Sequence, residues 1–208
     1  MPAPERGLVS TLLHKVMRAL CHLSMRIEVE GLSHLHVNGA AIIVFNHLSL
    51  LDGPLVSSLL QRKAIFLVAR EFGRIPVLGW CITKVADPIY INRGVPDRRA
   101  VRRALAVLAD GGLLCMAPEG RVSRTGALTE AQHGAAFMGR LASATLIPVA
   151  AYGQEQSWRT WLRLRRPHVR IIVGEPFVLP SDQNRENTTV LMRRIAELLP
   201  PRYRGVYE

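Results

Sequence analysis

The sequence is poor in cysteine and in acidic residues, and it contains no long apolar run. Its three cysteines, Cys21, Cys81 and Cys115, are odd in number, far apart and never in a Cys-x-x-Cys pair. That argues against a disulfide framework or a zinc site and suits a reducing, cytosolic setting. No unbroken apolar stretch reaches the ~18 residues that a transmembrane helix needs. No small-residue cleavage site follows an apolar core near the amino end, so the expectation is a chain that neither spans a membrane nor is exported. Asp and Glu number 16 against 27 Lys and Arg, a net charge of +11. The shortage of acid implies an anionic partner, without distinguishing phosphate on nucleic acid from phosphate on a lipid or cofactor. Internal repeats and low-complexity linkers are also lacking.

What is present suits a single core. The chain has 208 residues, 49% apolar and 21% charged, enough for one sizeable globular domain and too few for two ordinary ones. Short apolar runs rich in β-branched residues alternate with stretches of helical periodicity. Strands are expected at 26–30, 40–44, 64–69, 88–91, 113–117, 146–151 and 169–173. Helices are expected after Gly53, over 75–85, from an Asp97 N-cap to Gly111-Gly112, over 131–143 and over 189–199. The alternation predicts an α/β domain, a mixed, largely parallel sheet flanked by helices. Pro148 falls inside the 146–151 run and points to an edge strand or a strand end, because proline cannot donate to a ladder.

Ahead of this domain, Leu8, Leu12, Val16, Leu20 and Leu23 recur at steps of three and four, interleaved with His14, Lys15, Arg18, His22 and Arg26. Residues 1–27 therefore read as an N-terminal amphipathic, membrane-associating segment, set apart from a domain over 28–208. Such a helix lies in a membrane interface with its basic groups on anionic headgroups, or it packs on the core; its pattern is the same in both cases.

The stretch Phe45-Asn46-His47-Leu48-Ser49-Leu50-Leu51-Asp52 follows an apolar strand and precedes Gly53-Pro54. A histidine and an aspartate five residues apart face different ways on a regular helix or strand, so His47 and Asp52 can meet only across a turn. An imidazole held at one nitrogen by a carboxylate offers the other as a general base toward a hydroxyl. The competing reading is a surface histidine beside a helix-capping aspartate.

Two strands finish on arginine, at Arg70 and Arg93, and the carboxyl end of an open α/β sheet is where such folds bind anions; a solvated loop charge is the alternative for each. Arg98, Arg99, Arg102 and Arg103 cluster on one side of the helix after Asp97, which reads as a solvated face or as a nucleic-acid stripe. Trp158 to Arg166 interleaves indole and guanidinium groups, a composition that stacks on bases, covers a core or sits at a membrane interface. His34 and His36 have no Cys, Asp or Glu near enough to complete a ligand set, and no metal site is expected.

Four separated blocks, Asn46-His47-x-Ser49-x-x-Asp52, Ile89-Tyr90-Ile91-Asn92-Arg93, Pro118-Glu119-Gly120 with Ser123, and Ile147-Pro148-Val149, resemble in order the signature blocks of the glycerolipid acyltransferases. Arg70-Glu71, Ile75-Pro76 and Gly79-Trp80 resemble the intervening spacer. The chain departs from the family pattern at Asn92, where Asp is frequent, at Ala117, where an aromatic is frequent, and at Arg121-Val122, where Thr-Arg is usual. The resemblance implies transfer of a fatty acyl group from acyl-CoA or acyl-carrier protein to the free hydroxyl of 1-acyl-glycerol-3-phosphate, without a bound cofactor, on the cytoplasmic face of a membrane to which the protein is peripheral or monotopic. It implies His47 as base, Asp52 as its partner, and Arg70, Arg93, Glu119, Gly120, Arg121 and Ser123 as groups that hold the lysophospholipid acceptor. Another lysophospholipid acceptor is the nearest alternative. A basic nucleic-acid-binding protein is a more distant one that leaves His47, Asp52 and the ordered blocks unexplained. Ser49 lies outside any Gly-x-Ser-x-Gly elbow, which disfavours an esterase.

Overall fold

The computed structural model describes residues 7–95, 97–180 and 182–208. Seven strands form one sheet in the order β1-β7-β6-β2-β5-β3-β4. They are β1 (Arg26–Glu30), β2 (Ala41–Phe45), β3 (Ala64–Ala69), β4 (Ile89–Ile91), β5 (Leu113–Met116), β6 (Thr145–Tyr152) and β7 (His168–Val173). Every ladder is parallel except β6 with β7. The sheet is therefore the mixed, largely parallel one expected.

Central β2 is buried along its whole length, as a parallel strand covered on both faces must be. Its alternating side chains divide the interior into two cores. Ile42 and Val44 meet one set of helices, α5 (Arg98–Ala109), α6 (Gly134–Leu141) and α8 (Asn184–Glu197). Ala41, Ile43 and Phe45 meet the other side, where α1 (Leu8–Ser24) lies against α2 (Asp52–Leu59) and α4 (Pro76–Ala86). Both α6 and α8 differ from expectation at their ends. α6 starts only at Gly134, whereas α8 starts at Asn184, five residues before the apolar periodicity begins.

Pro148 is not at an edge or a strand end: it stands mid-strand in β6, flanked by β2 and β7. Two arrangements make this possible. Toward β7 the regular ladder begins only at Val149, while Leu146 makes an isolated bridge with Phe177, so the chain between Val173 and Phe177 bows around the position that lacks an N–H. Gly174 then donates its N–H to the Pro148 carbonyl at 2.8 Å, so the acceptor is satisfied.

The amphipathic α1 resolves the ambiguity left by its pattern. His14, Cys21 and the following Met25 are buried, and the leucine stripe looks outward: Leu8 is 91% exposed and Leu23 74%, with Leu12, Val16 and Leu20 also exposed. The helix is seated by a histidine whose Nε2 lies 2.7 Å from the Ser57 carbonyl of α2. Its carboxyl end is held by the Trp-Arg segment, where Trp161 donates its indole N–H to the Ser24 carbonyl at 3.0 Å and Arg166 donates to the carbonyls of His22 and Met25. These two residues bind the α1 end to the domain, while Trp158, Leu162 and Leu164 point away from it. The first six residues of the 1–27 segment lie outside the described residues. No described helix is long and apolar enough to cross a membrane.

Candidate active site

β2 ends because Asn46 takes over its hydrogen bonding with a side chain. The buried amide donates to the Ala151 carbonyl and accepts from the Ala151 N–H, both at 2.8 Å, copying a peptide unit beside β6. The backbone is thereby released to turn, and His47 emerges at the carboxyl end of the sheet. The turn is closed by Asp52, at the first position of α2. Asp52 Oδ2 accepts the Ser49 N–H at 2.9 Å, and Ser49 Oγ accepts the Leu51 N–H at 3.2 Å, a variant of the reciprocal capping box.

The same Oδ2 lies 2.8 Å from His47 Nδ1. Capping aspartate and histidine partner are therefore one arrangement, not competing ones. Asp52 is fully buried and the His47 side chain is 16% exposed. This carboxylate sits at the N-terminus of α2. Facing Nδ1, it fixes the imidazole with its proton on that nitrogen and leaves Nε2 as the acceptor, without a protein partner among the described residues.

A third member escaped sequence reasoning. Gln154 is buried beyond the carboxyl end of β6 and donates through Nε2 to Asp52 Oδ1 at 2.8 Å and to the Ala151 carbonyl at 3.1 Å. The opposite amide orientation would set oxygen against carboxylate, so Asp52 dictates which way the group points. Its Oε1 is buried without a protein partner among the described residues, an arrangement that costs stability. Gln154→Leu removes that donor without adding charge. It is expected to lower kcat about tenfold at unchanged acceptor KM, the share of a hydrogen bond to a charged group. A rise in KM instead would mean that Gln154 touches substrate.

The loop after β5 clamps His47 from the other side. Glu119 is buried; its Oε1 accepts the backbone N–H of His47 at 2.8 Å and its Oε2 accepts both the N–H and the hydroxyl of Thr129 at 2.8 Å. Burial pushes the Glu119 carboxyl above its ordinary range, against the pull of these donors. With both oxygens committed to protein donors, Glu119 acts here on the loop and on the His47 peptide, not on a free hydroxyl. Ser123 is similarly engaged. Its N–H donates to the His47 carbonyl at 2.7 Å and its hydroxyl to the Ala127 carbonyl at 2.6 Å. Gly120 sits at φ +71, the left-handed conformation this turn requires.

The basic residues expected at the site stand at the carboxyl ends of neighbouring parallel strands. Arg70 opens the four-residue helix α3 (Arg70–Gly73) directly after β3. Arg93 follows β4 with its guanidinium 5.7 Å from the centre of the Phe72 ring. Arg121 lies in the loop after β5, and all three side chains are exposed. Histidines 34 and 36 belong elsewhere. His34 Nδ1 is 2.9 Å from the Val173 carbonyl, and no cluster of three metal-binding side chains occurs among the described residues.

This geometry has a family. The acyltransferase family model matches residues 26–152, more than half the chain and the whole of the stretch from β1 to the end of β6. The crystal structure of the 1-acyl-sn-glycerophosphate (LPA) acyltransferase PlsC from Thermotoga maritima is similar with a TM-score of 0.70 at 22% identity, over 91% of this chain and 79% of that one, a likeness of fold. Together with the motif order read along the sequence, the family match makes the assignment: the chain belongs to the acyltransferase family.

Proposed function

We propose that this acyltransferase moves a fatty acyl group from a thioester, acyl-CoA or acyl-carrier protein, to the free hydroxyl of 1-acyl-glycerol-3-phosphate, giving phosphatidic acid, with His47 as general base and no bound cofactor. The observation that carries the reading is the 2.8 Å pairing of His47 Nδ1 with buried Asp52, which leaves Nε2 open at the sheet end where Arg70, Arg93 and Arg121 stand. Nε2 takes the proton of the acceptor hydroxyl as its oxygen attacks the thioester carbonyl carbon. The C–O bond forms, the C–S bond breaks, and the departing sulfur recovers the proton from the imidazolium. Asp52 stabilises that imidazolium while it exists. Holding the two substrates together supplies much of the remaining acceleration. The arginines suit a phosphate monoester, and Arg93, braced on Phe72, offers the planar fork that such a group accepts.

The acceptor is an amphiphile, and removing its chain from a bilayer would cost about 0.8 kcal/mol per CH₂. The outward leucine stripe of α1, flanked by exposed Val77 and Trp80 of adjacent α4, supports a protein lying on the membrane surface with Lys15, Arg18 and Arg26 toward anionic headgroups. Purified protein in detergent, given a labelled acyl donor and a panel of lysolipids, is expected to acylate the phosphate monoester fastest; equal rates on zwitterionic lysolipids would remove the proposed acceptor. The membrane part is tested separately. Deleting residues 1–27 would remove the buried Cys21 and Met25 and lay open the core they cover, so the sharper variant is Leu8, Leu12, Leu20 and Leu23 all changed to Ser. It is expected to fold normally and to lose most co-sedimentation with anionic vesicles, whereas undiminished binding would move the attachment to Trp158, Leu162 and Leu164.

A further inference from the structure

The arginines of α5 take no part in the site described above, yet they put four guanidinium groups within six residues. Arg98, Arg99, Arg102 and Arg103 are all exposed and have no carboxylate within ion-pair distance among the described residues. All four lie in the half of α5 that starts beside the carboxyl end of β4. Two of them, Arg98 and Arg102, border a groove of about 570 Å³ between α5 and α6, lined also by Asp97, Val101, Leu105 and Phe137. Its floor is apolar, and its rim carries Arg98 and Arg102 beside Asp97, whose carboxylate accepts from Asn92 and from the Ala100 N–H.

The fold decides which way this surface looks. α5 and α6 cover the face of the sheet that carries Ile42 and Val44, whereas α1 with its leucine stripe covers the face that carries Ala41 and Ile43. A protein resting on a bilayer through α1 therefore turns α5 away from the lipid, toward water. An anionic headgroup cannot be the natural occupant of a patch on the far side. Laterally, β4 is three strands from β2 in the sheet order, about 14 Å at the usual interstrand spacing, and the N-terminus of α5 opens at the same sheet end as His47.

We propose that the α5–α6 groove docks an acidic helix of a carrier protein that bears the acyl thioester, so that donor and lipid acceptor reach His47 from opposite faces of the sheet. The inference rests on the acyl-transfer reading above and assigns its donor. The complementary partner is an acidic amphipathic helix, whose apolar residues enter against Val101, Leu105 and Phe137 while its carboxylates meet Arg98 and Arg102. The thioester arm then spans the distance across the sheet end.

The test compares wild type with Arg98→Glu/Arg102→Glu and with the milder Arg98→Gln/Arg102→Gln. Both pairs of changes are on exposed positions outside the catalytic machinery. With acyl-carrier protein as donor, KM is expected to rise about tenfold or more for the Glu variant and less for the Gln variant, at constant kcat; with acyl-CoA, KM should stay within about twofold. Anisotropy of a fluorescently labelled carrier protein should report the same loss of affinity without any turnover, and vesicle co-sedimentation should not change. An equal KM rise for acyl-CoA would assign the arginines to the phosphates of CoA. Lost vesicle binding would turn the patch toward the bilayer, and unchanged carrier affinity would leave the groove without this partner; each result overturns the proposal. If wild type transfers from neither donor, the acyl-transfer reading fails, and the anisotropy arm still decides whether the groove binds the carrier.

Discussion

Alanine at position 47 is expected to cut turnover about 10²- to 10⁴-fold, the range contributed by a positioned general base, while the circular dichroism spectrum and melting temperature remain those of wild type. The side chain is partly exposed, and its ring meets the core only edge-on at Phe45, 6.3 Å between centroids. Asp52→Asn is expected to lose as much activity for another reason. Asp52 presents two oxygens to three donors, from His47, Ser49 and Gln154. An asparagine has one oxygen, and turning it toward Gln154 sets an NH₂ against His47 Nδ1. The imidazole then carries its proton on Nε2 and can no longer accept one there. Single-turnover transfer from a labelled thioester measures both variants. Losses under about tenfold in correctly folded protein would remove His47 as the base.

Glu119→Ala is expected to be the most destabilising single change at the site. It strands the His47 N–H, the Thr129 N–H and the Thr129 hydroxyl, and buried groups deprived of a partner cost about 1–3 kcal/mol each before any water relieves them. A net loss of about 3 kcal/mol corresponds to roughly 6–12 °C in Tm for a chain of this size. Turnover should fall with it, because the His47 peptide loses its anchor, and the acceptor KM measured below the transition should not. An acceptor KM that rises at unchanged Tm would restore the role that the family resemblance implies, holding the acceptor.

Glu119 also leaves a mark in pH. Its folded-state pKa is raised by burial, so its contribution to stability is complete below the ordinary carboxylate range and declines as pH rises through the higher folded value. Glu119→Gln does not titrate, and its Tm should be flatter over that interval. An identical slope would show that the donors fully offset burial.

His47 and Asp52 were legible because both lie within one turn, where strand, turn residues and helix start can be read from eight consecutive positions. Gln154 was not, since it reaches Asp52 from 102 positions away and a lone glutamine after a strand carries no signal. Glu119 was legible as part of a motif and illegible in its role, which depends on Thr129 and the His47 backbone closing around it. For α1 the limit was of principle. A helix with a leucine stripe has the same periodicity whether that stripe faces a core or the outside, and only the partners of His14 and Cys21 reveal which side is inward. Pro148 misled for a related reason: a missing donor disqualifies a central strand only if the neighbouring strand requires it, and here Phe177 and Gly174 arrange the pairing around the gap.

The backbone of His47 is gripped on both sides by one loop, its N–H by Glu119 and its carbonyl by the N–H of Ser123. The loop between them carries exposed Arg121. The His47 amide can therefore trade its hydrogen for solvent deuterium only when that loop lets go, and its exchange rate is a clock for loop opening. On the proposed reaction, a phosphate drawing Arg121 inward is expected to slow the clock from a distance, without touching the imidazole. The proposed base would then be wired, through its own backbone, to the arrival of the proposed acceptor.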